Sequence, residues 1–198
     1  MNIFDSARDR LLIVAHRGSS AGNIPCNTLA AYKAALAQGA DMIEVDANMS
    51  PDGTLYSFHP KMESRHLGAD VSLPALHDEE VRSLRYLNTD RVPTQFGIPT
   101  MEEIFALGKG RCYINIDKFW LYPRELCGLI RRFGMEDQIV VKTSPSEQMF
   151  DLMEEFSIET AIVVCEHLAV NINICRRICA FDFKKIFIRV GEKITVKF

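Results

Sequence analysis

Short apolar runs alternate with segments that carry helix signals along the first 165 residues. The predicted strands cover residues 11–16, 42–49, 55–59, 112–117, 138–143 and 160–165. The predicted helices cover residues 28–38, 75–86, 100–107, 123–133 and 145–156. This regular alternation predicts an α/β fold with a parallel sheet.

The first three elements have the pattern of a βαβ unit. The apolar run at 11–16 predicts a buried strand, and Asn27 or Thr28 is placed to cap the helix that Gly39 closes. The strand at 42–49 then stops at a Ser-Pro-Asp-Gly turn. The two strands are expected to be parallel.

The strand at 42–49 carries two carboxylates on one face. Side chains alternate across a strand, so Glu44 and Asp46 share one side while Ile43 and Val45 share the other. Carboxylates this close raise one pKa or bind a cation between them. A solvated edge strand is the alternative, but it fits poorly because Ile43 and Val45 favour burial. The pattern therefore favours a divalent-metal site.

Polar side chains close most of the predicted strands. They are His16, Asp46, His59, Asp117 and Lys142. Active sites lie at this end of the strands in (β/α) barrels, so the distribution favours a barrel, with a doubly wound sheet as the alternative. Arg17 suits a phosphate through its bidentate fork, and Gly18 allows a ligand close to the backbone. Together these groups indicate metal-assisted phosphoryl chemistry.

Two segments interrupt the alternation. Residues 60–98 are too long for a plain loop and predict a small insertion with its own fold. From residue 169 onward the alternation of strands and helices stops, and residues 186–198 predict a β-hairpin. A full barrel needs eight strand–helix units, so we expect a barrel domain at 1–168 that is incomplete at its C-terminus, followed by an atypical tail at 169–198. We also expect the chain to self-associate through the open edge of the barrel.

Composition excludes several classes of protein. The 198 residues are 47% hydrophobic, enough for a proper core, and a net charge of -3 gives no electrostatic case for nucleic acid. The sequence shows no bilayer-spanning apolar run and no signal peptide, so a cytoplasmic location is expected. Cys175 and Cys179 lack a histidine at zinc-finger spacing, which argues against a zinc site there.

The ordered motifs resemble those of glycerophosphodiester phosphodiesterases. They are residues 15–18, 25–32, 39–46, 52–53, 59, 98–103, 115–118 and 140–143. The resemblance implies a TIM-type (β/α) barrel of the PLC-like phosphodiesterase kind, with a small insertion after the second strand. It implies a small-molecule substrate, a glycerophosphodiester, hydrolysed to an alcohol and glycerol 3-phosphate.

The resemblance also implies roles for individual residues. The metal ligands would be Glu44, Asp46 and Asp117, holding Mg²⁺ or Ca²⁺. His16 and His59 would be the general acid/base pair. Arg17 and Lys142 would bind the phosphate.

Four positions depart from the family pattern. Cys26 and Asp117 each stand where a glutamate is usual, Pro60 replaces the aspartate after the histidine, and Lys118 adjoins the carboxylate instead of lying two positions beyond it. A truncated, non-catalytic member of the family is therefore one alternative. A phosphodiesterase for another phosphodiester, such as a lysophospholipid or glycerophosphoinositol, is the other alternative.

Overall fold

The computed structural model describes residues 6, 11–143, 146–156, 160–165, 185–190 and 193–197. The chain divides into two compact units, residues 12–114 and residues 115–198 together with 1–11. We refer to them as the N-terminal unit and the C-terminal unit. Among the described residues, no helix is long and apolar enough to cross a bilayer.

The N-terminal unit begins with two parallel strands joined by a helix, as predicted. Strand β1 (Val14–His16) pairs with β2 (Met42–Met49), which places His16 opposite Glu44. Helix α1 (Leu29–Ala37) connects them. The expectation of a buried first strand is wrong, because Val14 is 47% exposed. Among the described strands β1 pairs with β2 alone and therefore lies at the edge of the sheet, where fewer strands flank it.

The insertion folds onto the next strand. Strand β3 (Leu55–Ser57) runs antiparallel to β2, and it is followed by helix α2 (Glu63–Leu67), a 3₁₀ turn (Leu73–Ala75) and helix α3 (Asp78–Ser83). One hydrophobic cluster joins them, made of Tyr56, Phe58, Leu67, Leu73, Val81, Tyr86 and Ile98. The predicted helix at 75–86 is thus present, but shorter than its sequence signal.

The N-terminal unit ends with a capped helix and the start of a strand. Helix α4 (Met101–Gly108) begins where the sequence predicted, with a capping box in which Thr100 Oγ1 accepts the Glu103 N–H at 3.2 Å and Glu103 accepts the Thr100 N–H at 2.8 Å. Strand β4 (Tyr113–Asp117) starts beside β2, since the Tyr113 N–H donates to Asp41 O at 2.9 Å.

The C-terminal unit continues the alternation of strands and helices. Its helices are α5 (Pro123–Phe133) and α6 (Glu147–Glu155), with 3₁₀ turns at Phe119–Leu121 and Glu136–Gln138. Its strands are β5 (Ile139–Thr143), β6 (Thr160–Cys165), β7 (Lys185–Val190) and β8 (Lys193–Lys197). Gly134, at φ 60°, ends α5 as its position predicted.

The tail forms the predicted hairpin, with β7 antiparallel to β8. However, β7 also pairs in parallel with β6, from Thr160 opposite Lys185 to Cys165 opposite Val190. β7 therefore extends the parallel sheet beyond residue 169, while the segment between β6 and β7 lies outside the described residues, so the expected break in the alternation stays a prediction. Cys175 and Cys179 lie outside the described residues, and the division at residue 168 stays a prediction.

Candidate active site

Glu44 and Asp46 lie on one face of β2, as the period of two predicted. They are 3% and 0% exposed, and their carboxylate oxygens come within 4.8 Å of each other. Ile43 and Val45 are fully buried as well. Two carboxylates this close and this buried repel each other strongly, unless donors or a cation offset their charge.

Donors to this pair come from the connection between β1 and α1. Asn27 Nδ2 donates to Asp46 Oδ2 at 2.9 Å, and Arg17 Nε lies 2.8 Å from the same oxygen. The Arg17 backbone N–H donates to Glu44 Oε2 at 3.1 Å. Arg17, which the sequence assigned to phosphate, therefore contacts both carboxylates.

The β1–α1 connection has an unusual backbone. Arg17, Gly18 and Asn27 have φ values of 56°, 79° and 55°, and the Asn27 N–H donates to Arg17 O at 3.0 Å. A Cβ at position 18 would lie 2.7 Å from Ala31 C, so the absence of a side chain at Gly18 lets helix α1 pack closely against it. Left-handed non-glycine residues cost about 1–3 kcal/mol each and cluster at functional sites.

Two buried hydroxyls, those of Tyr32 and Ser57, act on Asp46 through Asn27, and the sequence did not mark them as site residues. Tyr32 donates to Asn27 Oδ1 at 2.9 Å and contacts Ser57 Oγ at 2.8 Å. Burial raises the pKa of Tyr32 well above its ordinary value, so the phenol stays protonated. Because Asn27 Oδ1 accepts this proton, its Nδ2 is fixed as the group that faces Asp46.

The sequence offered Asn27 only as one of two candidate helix caps, and it gave Tyr32 no separate role. The cap is Thr28, whose Oγ1 accepts the Ala31 N–H at 3.2 Å. The available signal was the motif itself, since Asn27 and Tyr32 both fall within residues 25–32.

The donor set fits a hard divalent cation. Asp46 Oδ1 is buried and has no hydrogen-bond partner among the described residues. Such an orphaned carboxylate oxygen is costly without a partner, and carboxylate oxygens are the ligands that Mg²⁺ and Ca²⁺ prefer. Glu44 and Asp46 could therefore hold such an ion.

The two predicted catalytic histidines belong to the N-terminal unit. His16 Nε2 lies 3.8 Å from Glu44 Oε2, and the His16 side chain is 72% exposed. His59 is half-buried, with Nδ1 2.8 Å from Pro60 O. Since a carbonyl only accepts, Nδ1 carries the proton and Nε2 is the acceptor in neutral His59. Pro60, although a departure from the family pattern, thus sets the tautomer.

Cys26 does not replace the charge of the usual glutamate. Burial raises the pKa of the Cys26 thiol, an effect that outweighs the lowering by the charge of Arg17. The side chain is therefore a neutral thiol near pH 7, and it adds no anionic ligand to the site.

Asp117 lies at the end of β4 in the C-terminal unit. Its Oδ2 is 2.9 Å from Lys142 Nζ and 3.0 Å from Lys118 Nζ. Burial acts to raise the Asp117 pKa, but the two ammonium groups outweigh it and hold the pKa below its usual value. Lys142, assigned to phosphate by resemblance, here neutralises a carboxylate. Lys118, whose role the sequence left open, shares that task.

Solved structures of similar fold are known. A glycerophosphoryl diester phosphodiesterase from Parabacteroides distasonis superposes with a TM-score of 0.80 at 19% identity, covering 98% of this chain and 70% of that one. An Oleispira antarctica phosphodiesterase in complex with the product sn-glycerol-3-phosphate has a TM-score of 0.69 at 20% identity, covering 92% and 76%. These likenesses confirm the predicted TIM-type α/β fold with a parallel sheet.

Sequence comparison identifies the family. A glycerophosphodiester phosphodiesterase of Caldanaerobacter subterraneus is 30% identical over 148 residues, which are 68% of this chain and 58% of that relative. The chain thus spans less than two thirds of the relative's length. The model of the glycerophosphoryl diester phosphodiesterase family matches residues 16–136. Because this match covers more than half of the chain and includes the carboxylate pair and both histidines, the chain belongs to the glycerophosphoryl diester phosphodiesterase family.

Proposed function

We propose that this protein hydrolyses glycerophosphodiesters to an alcohol and glycerol 3-phosphate, with a divalent cation bound by Glu44 and Asp46. The buried carboxylate pair carries the proposal, because the Asp46 oxygen without a hydrogen-bond partner fits a cation ligand. The Caldanaerobacter relative bears the name of this activity, and the Oleispira phosphodiesterase was solved with sn-glycerol-3-phosphate as product. Both support the same reaction here.

The cation, when bound, would supply neutralisation of charge on the phosphoryl oxygens. Mg²⁺ and Ca²⁺ are the candidates, since all proposed ligands are carboxylates. The family resemblance alone adds Asp117 as a third ligand. It also keeps Arg17 and Lys142 as proposed phosphate ligands.

The two histidines would divide the proton transfers. His59 would act as the base, because its tautomer leaves Nε2 to accept a proton from the attacking water or substrate hydroxyl. His16 would then protonate the leaving alkoxide. Its side chain is 72% exposed and its Nε2 lies 3.8 Å from Glu44 Oε2, which would place it beside a leaving group bound at the carboxylates.

A phosphodiester-binding protein without turnover is the second candidate. One observation favours it: position 26 holds a neutral thiol where the family pattern has a carboxylate. Such a protein would still bind a cation through Glu44 and Asp46.

Release of glycerol 3-phosphate from glycerophosphocholine and glycerophosphoethanolamine, with and without a chelator, tests the proposal. We expect release that stops with the chelator and in the Glu44→Gln variant. The exposed Glu102→Gln variant is the matched control and should behave as the unaltered protein. Cation binding without any release would favour the binding protein instead.

A further inference from the structure

A cavity of about 500 Å³ lies in the N-terminal unit between the β1–α1 connection and the insertion. Cys26 lines one side, and Arg65, His66 and Arg91 line the other. Among the described residues that form its walls there is no Asp, Glu, Phe, Tyr or Trp. The cavity is therefore basic, and it lacks both kinds of group that hold an organic cation.

One residue of the cavity wall, Cys26, lies next in the chain to the residue that holds Asp46. Cys26 precedes Asn27, the residue that donates to Asp46, and neighbouring Cα atoms are about 3.8 Å apart. Charges from both sides also act on the Cys26 thiol, whose pKa burial raises: those of Arg17 and Asp46, and that of Arg65. Cys26 thus belongs both to the cavity wall and to the chain segment that holds Asp46.

The polar groups of the cavity suit an anion. Arg65 and Arg91 are exposed, and each has a planar fork of N–H donors that matches phosphate or carboxylate. Arg91 Nη2 makes a long 3.5 Å bond to Ser64 O, a weak contact that a phosphate could replace. His66 Nε2 is buried and has no hydrogen-bond partner among the described residues, and because such groups are rare, a ligand in the cavity would supply the missing partner.

We propose, resting on the function proposed above, that this cavity binds the leaving alcohol of the substrate and selects alcohols that carry a phosphate. The glycerol half is uncharged and is the same in every glycerophosphodiester, so two guanidinium groups could not select one substrate over another by binding it. A second phosphate on the alcohol would pair with Arg65 and Arg91. A choline group would meet two like charges and no aromatic face.

Turnover by the full chain with its cation tests the selection. Glycerophosphoglycerol phosphate should show a higher kcat/KM than glycerophosphoglycerol, and glycerophosphocholine the lowest. Arg91→Gln should lower kcat/KM for the phosphate-bearing substrate roughly 10- to 100-fold, the effect of a charge-assisted hydrogen bond, and raise kcat/KM for glycerophosphocholine, because it removes one of the two like charges that the choline group meets. Arg82→Gln removes an exposed arginine of the same insertion that does not line the cavity, and should change neither.

A binding measurement separates this proposal from the function itself. Calorimetry in the His59→Ala background, with Mg²⁺ present, measures affinity for glycerophosphoglycerol phosphate without turnover. A loss of affinity on adding Arg91→Gln, but not Arg82→Gln, supports the cavity even if the protein hydrolyses nothing. Equal affinity in all three variants, or measurable but equal turnover of the anionic and cationic substrates, overturns it.

Discussion

Asn27 holds Asp46 in place, and Tyr32 in turn holds Asn27. This buried chain of hydrogen bonds joins α1 to β2, with bonds of 2.9 Å at each step. It fixes the carboxylate that the proposed cation needs, because every rotamer in the chain is constrained by its neighbour. Residues with no charge of their own thereby set the geometry of the site.

Removing either histidine should lower turnover while the fold survives. His59→Ala and His16→Ala should each reduce kcat by roughly 10²–10⁴-fold, the usual contribution of a general acid or base. His77→Ala is the matched control, since His77 is 69% exposed and pairs with Asp52. Steady-state kinetics with circular dichroism as a folding check decide this. Near-normal turnover in one variant would remove that histidine from the mechanism.

Restoring the carboxylate at position 26 should strengthen the site. Cys26→Glu replaces a thiol that burial keeps neutral with a hard anionic oxygen near Asp46. We expect higher cation affinity or higher turnover, measured by calorimetry and glycerol 3-phosphate release. Cys26→Gln, which adds bulk without charge, is the control. Unchanged or lower values for both properties in Cys26→Glu would show that the site has adapted to the thiol.

The β1–α1 connection depends on close packing at Gly18. Gly18→Ala should destabilise the protein by about 1–3 kcal/mol more than Gly39→Ala, because overpacking adds to the cost of positive φ. The comparison is matched, since the two glycines have φ of 79° and 89° but only Gly18 has an atom within 4 Å of an added Cβ. Urea unfolding measures the difference. Equal stabilities would mean that α1 moves aside freely.

Elements with strong local signals could be predicted from the sequence. The alternating pattern of β2 predicted that Glu44 and Asp46 share one face, and the sequence around Thr100 and Glu103 predicted where α4 begins. Contacts between distant residues could not be predicted in this way. Tyr32 and Ser57 meet across 25 positions of sequence, and no local pattern encodes that contact. Likewise, the alternation of β7 marks a strand but not its parallel pairing with β6.

At the scale of the whole molecule, an apolar strand edge favours self-association. Ile13, which precedes β1, and Val14, its first residue, are 62% and 47% exposed, and exposed edge strands pair with other chains. We expect oligomers in size-exclusion chromatography, fewer of them in Ile13→Lys, and no change in Val92→Lys, which alters an exposed valine of the insertion. A compact monomer that binds no apolar dye would mean that this edge is covered in solution.

The most direct test of the carboxylate pair as a metal centre is the thermal unfolding of the intact protein with added Mg²⁺ or Ca²⁺. A cation that binds only the folded state stabilises it by about 2.7 kcal/mol at one hundred times its Kd, so Tm should rise with concentration. Asp46→Asn should abolish this rise, whereas the exposed Asp70→Asn should retain it. A Tm of the intact protein that stays constant at millimolar concentrations of both cations would contradict the account.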